Sequence, residues 1–184
     1  MKFEDLNLHP TLLKAVKDQN YINPTAIQEE AIPLILKDND VLGTAQTGTG
    51  KTAAFALPIL HHLINEKSNN NKTKIRALVV TPTRELAIQI GDNFTNYAKY
   101  NNIKNTVIFG GVKQGTQTNA LANGVDVLVA TPGRLLDLMG QGFISLNDIG
   151  YFVLDEADRM LDMGFINDIK KLLEKLPKNR QSLF

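Results

Sequence analysis

Residues 45–52 read Ala45-Gln46-Thr47-Gly48-Thr49-Gly50-Lys51-Thr52. Before them, Val41-Leu42-Gly43 has the apolar character of the end of a short buried strand; after them, Ala53-Ala54-Phe55-Ala56-Leu57 reads as the first turns of a helix. A strand, a glycine-rich turn and a Lys-Thr pair opening a helix form the setting that a phosphate-binding loop requires. Gly48 and Gly50 permit backbone angles closed to other residues, so the loop can curl its N–H groups around an anion. The N-terminus of the helix adds partial positive charge at the same point. In such a loop Lys51 reaches the β- and γ-phosphates and the Thr52 hydroxyl ligates Mg²⁺. The match to the general pattern is imperfect, because Ala45 stands where a glycine is usual.

Outward from this loop, apolar runs predict buried strands at 76–81, 106–109, 126–130, 151–154 and 181–184. Between them lie helical patterns: one through Leu86, Ile90, Phe94 and Tyr97, others at about 113–122, 135–139 and 166–176. Upstream, Pro10 opens a short helix. Pro24 holds Asn23 extended, and Thr25 caps a helix through Ala26, Ile27, Ala31 and Ile32. The polar stretch 66–74 reads as an exposed loop. Strands that alternate with helices predict an α/β fold, a mostly parallel sheet with helices on both faces. Ligands of such sheets bind at the carboxyl ends of the strands, and every motif singled out here lies just past a strand end.

Composition sets bounds. At 184 residues the chain suits one packed domain. It has no cysteine, so disulfide and thiolate chemistry are excluded and a reducing compartment fits. No apolar run is long enough to span a bilayer, and Met1-Lys2-Phe3-Glu4-Asp5 lacks the core of a secretory signal. With a net charge of +1, any hold on nucleic acid should come from placed amides, helix N-termini and a few arginines, not from a broad basic face. His61 and His62 are adjacent and cannot share a helix face, so no histidine metal site is expected.

In order, the motifs Ala45–Thr52, Pro82-Thr83-Arg84-Glu85-Leu86-Ala87, Gly110-Gly111, Thr131-Pro132-Gly133-Arg134 and Asp155-Glu156-Ala157-Asp158 resemble those of the DEAD-box RNA helicases, specifically their first RecA-like domain. Ala45 is what that family usually carries. Tyr21 through Gln28 resembles its adenine-recognising segment, with Phe3 in the place of the upstream aromatic. Asn20 departs from it, since glycine is common there. The resemblance covers nearly the whole chain. It implies one RecA-like P-loop NTPase domain over 1–184, with residues 1–36 as an adenine-recognition segment packed on it. It also implies a piece of a longer, cytoplasmic helicase: the Ser-Ala-Thr motif expected after the last strand and the second RecA-like domain lie beyond Phe184.

The resemblance also implies roles. ATP is held by Phe3, Tyr21, Thr25, Gln28 and the loop Ala45, Gln46, Thr47, Gly48, Thr49, Gly50, Lys51 and Thr52. Gln28 pairs with adenine and Tyr21 stacks on it. Mg²⁺ is held by Thr52 and, through water, by Asp155. Glu156 orients the attacking water, with Lys51 and Asp155 completing the catalytic set. RNA backbone is bound, without regard to sequence, by Pro82, Thr83, Arg84, Gly111, Thr131, Pro132, Gly133 and Arg134. Asp158 couples to the second domain. A monomer that binds nucleotide, turns it over slowly and does not unwind RNA is expected. A DNA-directed relative, a non-unwinding RNA clamp and an ATPase unrelated to nucleic acid are the other readings of the same motifs.

Overall fold

A computed structural model describes residues 1–66 and 74–184. Most of the loop expected at 66–74 lies outside the described residues. Among the described residues five parallel strands form one sheet: β1 (Ala77–Val80), β2 (Asn105–Ile108), β3 (Val127–Ala130), β4 (Tyr151–Leu154) and β5 (Gln181–Leu183), in the order β2-β3-β1-β4-β5. The helices are α1 (Pro10–Asp18), α2 (Ala26–Leu36), α3 (Lys51–Asn65), α4 (Arg84–Tyr97), α5 (Gly115–Ala122), α6 (Pro132–Gly140), α7 (Ala157–Asp162) and α8 (Ile166–Lys175), preceded by a single 3-10 turn at Phe3–Leu6.

Side chains alternate across a strand, so each central strand feeds two cores. Ala77, Val79, Val127, Val129 and Val153 join residues of α1, α2, α3 and α4 on one face. Leu78, Val80, Leu128, Phe152 and Leu154 join Leu135, Met160, Ile169 and Leu172, from α6, α7 and α8, on the other. With both faces covered, the central strands β1, β3 and β4 are apolar throughout, while the edge strands β2 and β5 carry polar residues.

Three local expectations are corrected. Residues 41–43 are not a buried strand: Val41 and Gly43 hydrogen-bond to Ser182 and Phe184 along the outer margin of β5, and Leu42 is 79% exposed. With a neighbour on one side only, this margin leaves Leu42 uncovered. α6 begins at Pro132, three residues before its apolar stripe, with proline in the first helical position where a missing N–H costs nothing. A short helix, α7, follows the Asp155-Glu156 pair where none was expected.

Asn20 answers the departure noted in the sequence. It is left-handed (φ 58°), closing α1: its N–H donates to the carbonyl of Lys17 (3.0 Å) and the N–H of Tyr21 to that of Val16 (3.1 Å). This paired ending of a helix favours glycine, and asparagine is among the few other residues that tolerate the conformation. The turn sets where Tyr21 leaves the helix.

Candidate functional site

The glycine-rich turn crosses from Val41 to α3 with Gly48 at φ 82° and Gly50 at φ 87°. The Thr49 hydroxyl donates to the carbonyl of Gln46 (2.6 Å), which draws the curl together. Gly50 caps α3, so Lys51 and Thr52 occupy its first turn, where backbone N–H groups lack helical partners. A β-carbon at Gly50 would stand 2.4 Å from the Gln28 amide nitrogen and 3.1 Å from the Thr25 hydroxyl. The loop and the segment before α2 are therefore in direct contact.

Gln28 makes that contact. It is buried; its Oε1 accepts from the N–H of Thr25 (3.0 Å) and its Nε2 donates to the carbonyl of Gly50 (3.1 Å). One lone pair and one N–H remain for a ligand. Tyr21 offers an exposed ring, stacked on Phe3 at 6.2 Å between centroids and set edge-on to Tyr97 at 6.4 Å. Phe3 is almost wholly buried (2% exposed), so it backs Tyr21 and presents little surface of its own.

Asp155 and Glu156 follow β4. The N–H of Asp155 donates to the carbonyl of Val80 (2.9 Å), extending the β1–β4 ladder to the acidic turn. Burial is the main cause raising the Asp155 carboxyl above the usual carboxylate range; the nearby Lys51 ammonium opposes the shift and the Glu156 charge adds to it. Glu156 is left-handed (φ 57°) and caps α7, its carboxylate 3.7 Å from the Arg159 guanidinium. Asp158 is exposed in the first turn of α7.

A cleft of about 730 Å³ gathers these parts: Phe3, Tyr21, Thr25 and Gln28 on one side, Thr47, Gly48, Gly50, Lys51 and Thr52 on the floor, Asp155 and Glu156 at the far end. α4 supplies the other wall with Leu86, Gln89, Ile90, Asn93 and Tyr97. Ala45 and Gln46 line instead an adjoining, more apolar cavity of about 640 Å³ with Ile27, Ala31, Phe55, Leu154 and Asp158, which shares Thr47, Lys51, Asp155 and Glu156 with the cleft. The donors suit Mg²⁺: the Thr52 hydroxyl and the Asp155 carboxylate are hard oxygen ligands, and a buried carboxyl beside a second one is stabilised by a cation.

The remaining motifs stand past the ends of β1, β2 and β3. Thr83 caps α4, its hydroxyl accepting from the N–H of Leu86 (3.3 Å). Gly111 is left-handed (φ 82°) in an exposed turn after β2. Thr131 caps α6, so Pro132 opens the helix and Gly133 and Arg134 present N–H groups without helical partners, the arrangement that attracts phosphate. Arg84 lies over the Phe109 ring (4.7 Å to its centroid). Arg134 is turned inward, bonded to Gln117 and to the carbonyl of Val112.

Sequence reasoning missed Gln117, Tyr97 and Thr81. Thr81 is fully buried where β1 ends beside Asp155, and its hydroxyl opposes the upward shift of that carboxyl. Gln117 is the one buried residue of a mostly polar helix, and no local signal in the sequence marked it.

A glycine-rich loop opening a helix, an acidic strand end and an exposed aromatic ring on one cleft of a parallel sheet define the class: a RecA-like α/β domain. The DEAD/DEAH box helicase family matches residues 25–184, and the chain belongs to that family. It is 45% identical over 182 residues to the ATP-dependent RNA helicase RhlB of Actinobacillus succinogenes, covering 99% of this chain and 44% of that protein. It is 44% identical over 183 residues to the DEAD-box ATP-dependent RNA helicase CshA of Streptococcus pneumoniae, covering 100% of this chain and 34% of that one. The crystal structure of a DEAD box protein from the hyperthermophile Methanococcus jannaschii superposes with a TM-score of 0.91 at 42% identity, covering 100% of this chain and 49% of that one. The chain thus spans less than half the length of these relatives.

Proposed function

We propose that this chain is the ATP-binding domain of an ATP-dependent RNA helicase, and that residues 1–184 are its first RecA-like unit, with residues 1–36 as the adenine-reading segment. One observation carries the reading: the glycine loop, Lys51, Thr52, Asp155 and Glu156 share a cleft with Tyr21 and Gln28. Phosphoryl transfer depends on positioning and charge stabilisation, and those are what these residues supply. The loop amides and Lys51 hold the phosphate chain. Gln28 ties base recognition to the loop through Gly50, so a base docked on Tyr21 meets a fixed phosphate cradle. Thr52 and Asp155 would hold Mg²⁺, which when bound offsets charge on the phosphates. Glu156, at the far end of the cleft, orients a water and accepts its proton.

RNA backbone lies, in this reading, across the helix N-termini of α4 and α6 and the Gly110-Gly111 turn. Contacts of this kind carry no base identity, so binding is independent of sequence. The second RecA-like domain of the longer protein, which acts in the cytoplasm, completes both sites and couples through Asp158. Without its arginines the chain alone turns over ATP slowly, since an arginine finger contributes on the order of 10³–10⁵ in rate. The chain by itself is monomeric. Among the described residues no helix is long and apolar enough to cross a membrane.

Calorimetry with ADP and GDP, with and without Mg²⁺, tests this. ADP should bind, Mg²⁺ should strengthen it, GDP should bind at least about tenfold more weakly, and Lys51→Ala should abolish binding. Equal affinity for both nucleotides would overturn the adenine reading. Rapid RNA-stimulated hydrolysis by these residues alone would overturn the claim of low activity. A fluorescent single-stranded RNA at low salt tests the RNA face.

A further inference from the structure

Arg134 is assigned to RNA by resemblance, yet its guanidinium points into the protein. Its side chain is 12% exposed. One terminal nitrogen donates to Oε1 of Gln117 (3.0 Å) and the other to the carbonyl of Val112 (3.0 Å), while Nε lies 3.7 Å from Asp137. Gln117, on α5, is 7% exposed, and its Nε2 donates to the carbonyl of Phe109 (3.0 Å). The loop carrying Gly110 and Gly111 is therefore gripped on both sides. Gln117 holds it at Phe109 and Arg134 at Val112, and the two grips are bonded to each other.

The glycines between the grips are exposed, and Gly111 is left-handed (φ 82°). Two adjacent glycines lose more conformational freedom on ordering than any other pair. An untethered loop of this composition would meet that loss when a ligand docks, at the expense of affinity. The buried amide and guanidinium remove the freedom in advance.

We propose that Gln117 and Arg134 are positioning residues that fix the Gly110-Gly111 turn for an RNA backbone, with Arg134 acting from behind the turn and not as a phosphate ligand. This rests on the RNA-face reading above. It assigns a role to Gln117, which no motif contains, and changes that of Arg134.

The test compares Gln117→Met, which keeps the volume and removes both polar atoms, with Arg134→Met and the double variant. Binding of a fluorescent single-stranded RNA is measured across a salt series. Each single variant should weaken binding about tenfold, the consequence of opening a buried hydrogen bond, and the double should lose little more. The dependence of log affinity on log salt should keep its slope. A phosphate ligand would instead reduce that slope by about 0.7 on a single strand, and such a drop in Arg134→Met overturns the proposal. Amide order parameters of Gly110, Gly111 and Val112 are measured in parallel. They should fall from about 0.85 toward 0.6 or below in both variants, while ADP affinity of Gln117→Met stays unchanged. Unchanged order parameters overturn the clamp whatever the RNA result. Failure of the unaltered chain to bind RNA would remove the RNA face itself, and the role proposed for the turn with it.

Discussion

The Gln28 side-chain amide donates to the main-chain carbonyl of Gly50 at 3.1 Å, across 22 residues of sequence. Space at Gly50 is closed by that same nitrogen, so the Tyr21–Gln28 segment and the glycine-rich loop are one mechanical unit.

Gly50→Ala should therefore be worse than Gly48→Ala. Both positions are left-handed (φ 87° and φ 82°), which costs a substituted residue about 1–2 kcal/mol. Only Gly50 also has an occupied β-position, with Gln28 at 2.4 Å; Gly48 opens onto free space. Thermal melts and ADP titration should give a larger fall in Tm and an ADP affinity at least about tenfold lower for Gly50→Ala. Equal behaviour of the two variants would contradict the tight contact.

Gln28→Ala should lower both stability and base selectivity. It removes the acceptor of the Thr25 N–H and one of the two donors to the Gly50 carbonyl, which keeps the Ala54 N–H, at about 0.5–1.5 kcal/mol per hydrogen bond lost. The ratio of ADP to GDP affinity should fall with it. Gln28→Glu keeps the acceptor for Thr25 but sets an anion against the Gly50 carbonyl, and should be no better. Full retention of ADP preference in either variant would break the link between base and loop.

Asp155 gives a pH signature. Its carboxyl is held above the ordinary carboxylate range, chiefly by burial. The folded chain therefore favours the protonated form more than the unfolded chain does. The sign follows: this group destabilises the fold at neutral pH, and the penalty is relieved as pH falls through its folded pKa. Asp155→Asn should raise Tm at pH 7 while abolishing the Mg²⁺ enhancement of ADP binding. In the unaltered chain that enhancement should fade, on acidification, at a higher pH than an ordinary aspartate would give. A lower Tm for Asp155→Asn at pH 7 would show that the carboxylate is stabilised, not strained, by its surroundings.

Asn20 tests the turn that aims Tyr21. Asn20→Gly should be neutral or stabilising by a few tenths of a kcal/mol, and Asn20→Val should destabilise by about 1–2 kcal/mol, because a β-branched residue resists φ 58°. Chemical denaturation measures both. Tyr21 follows the turn directly, so the valine variant should also bind ADP more weakly.

The sheet was legible because β1, β3 and β4 are apolar at every position, a pattern that burial on both faces requires. That the glycine turn opens a helix and that the acidic pair ends a strand was legible because long apolar runs adjoin both. Val41-Leu42-Gly43 misled because a sheet margin and a sheet centre can share the same short apolar run. The start of α6 was expected at about 135 and lies at Pro132, because proline fits a loop and a first helical position equally well. Gln117 and the inward turn of Arg134 were not legible at all: both follow from tertiary packing between α5, α6 and the loop after β2, and nothing local in the sequence records it.

The left-handed backbone at Glu156 bears on engineering. A stability-driven redesign of this domain would write glycine at that position, since glycine alone adopts φ 57° without penalty. The gain would erase the carboxylate at the end of the cleft. On the role proposed for Glu156, thermostabilised versions of this chain should be sought with position 156 held fixed, since a procedure that releases it would trade that carboxylate for robustness.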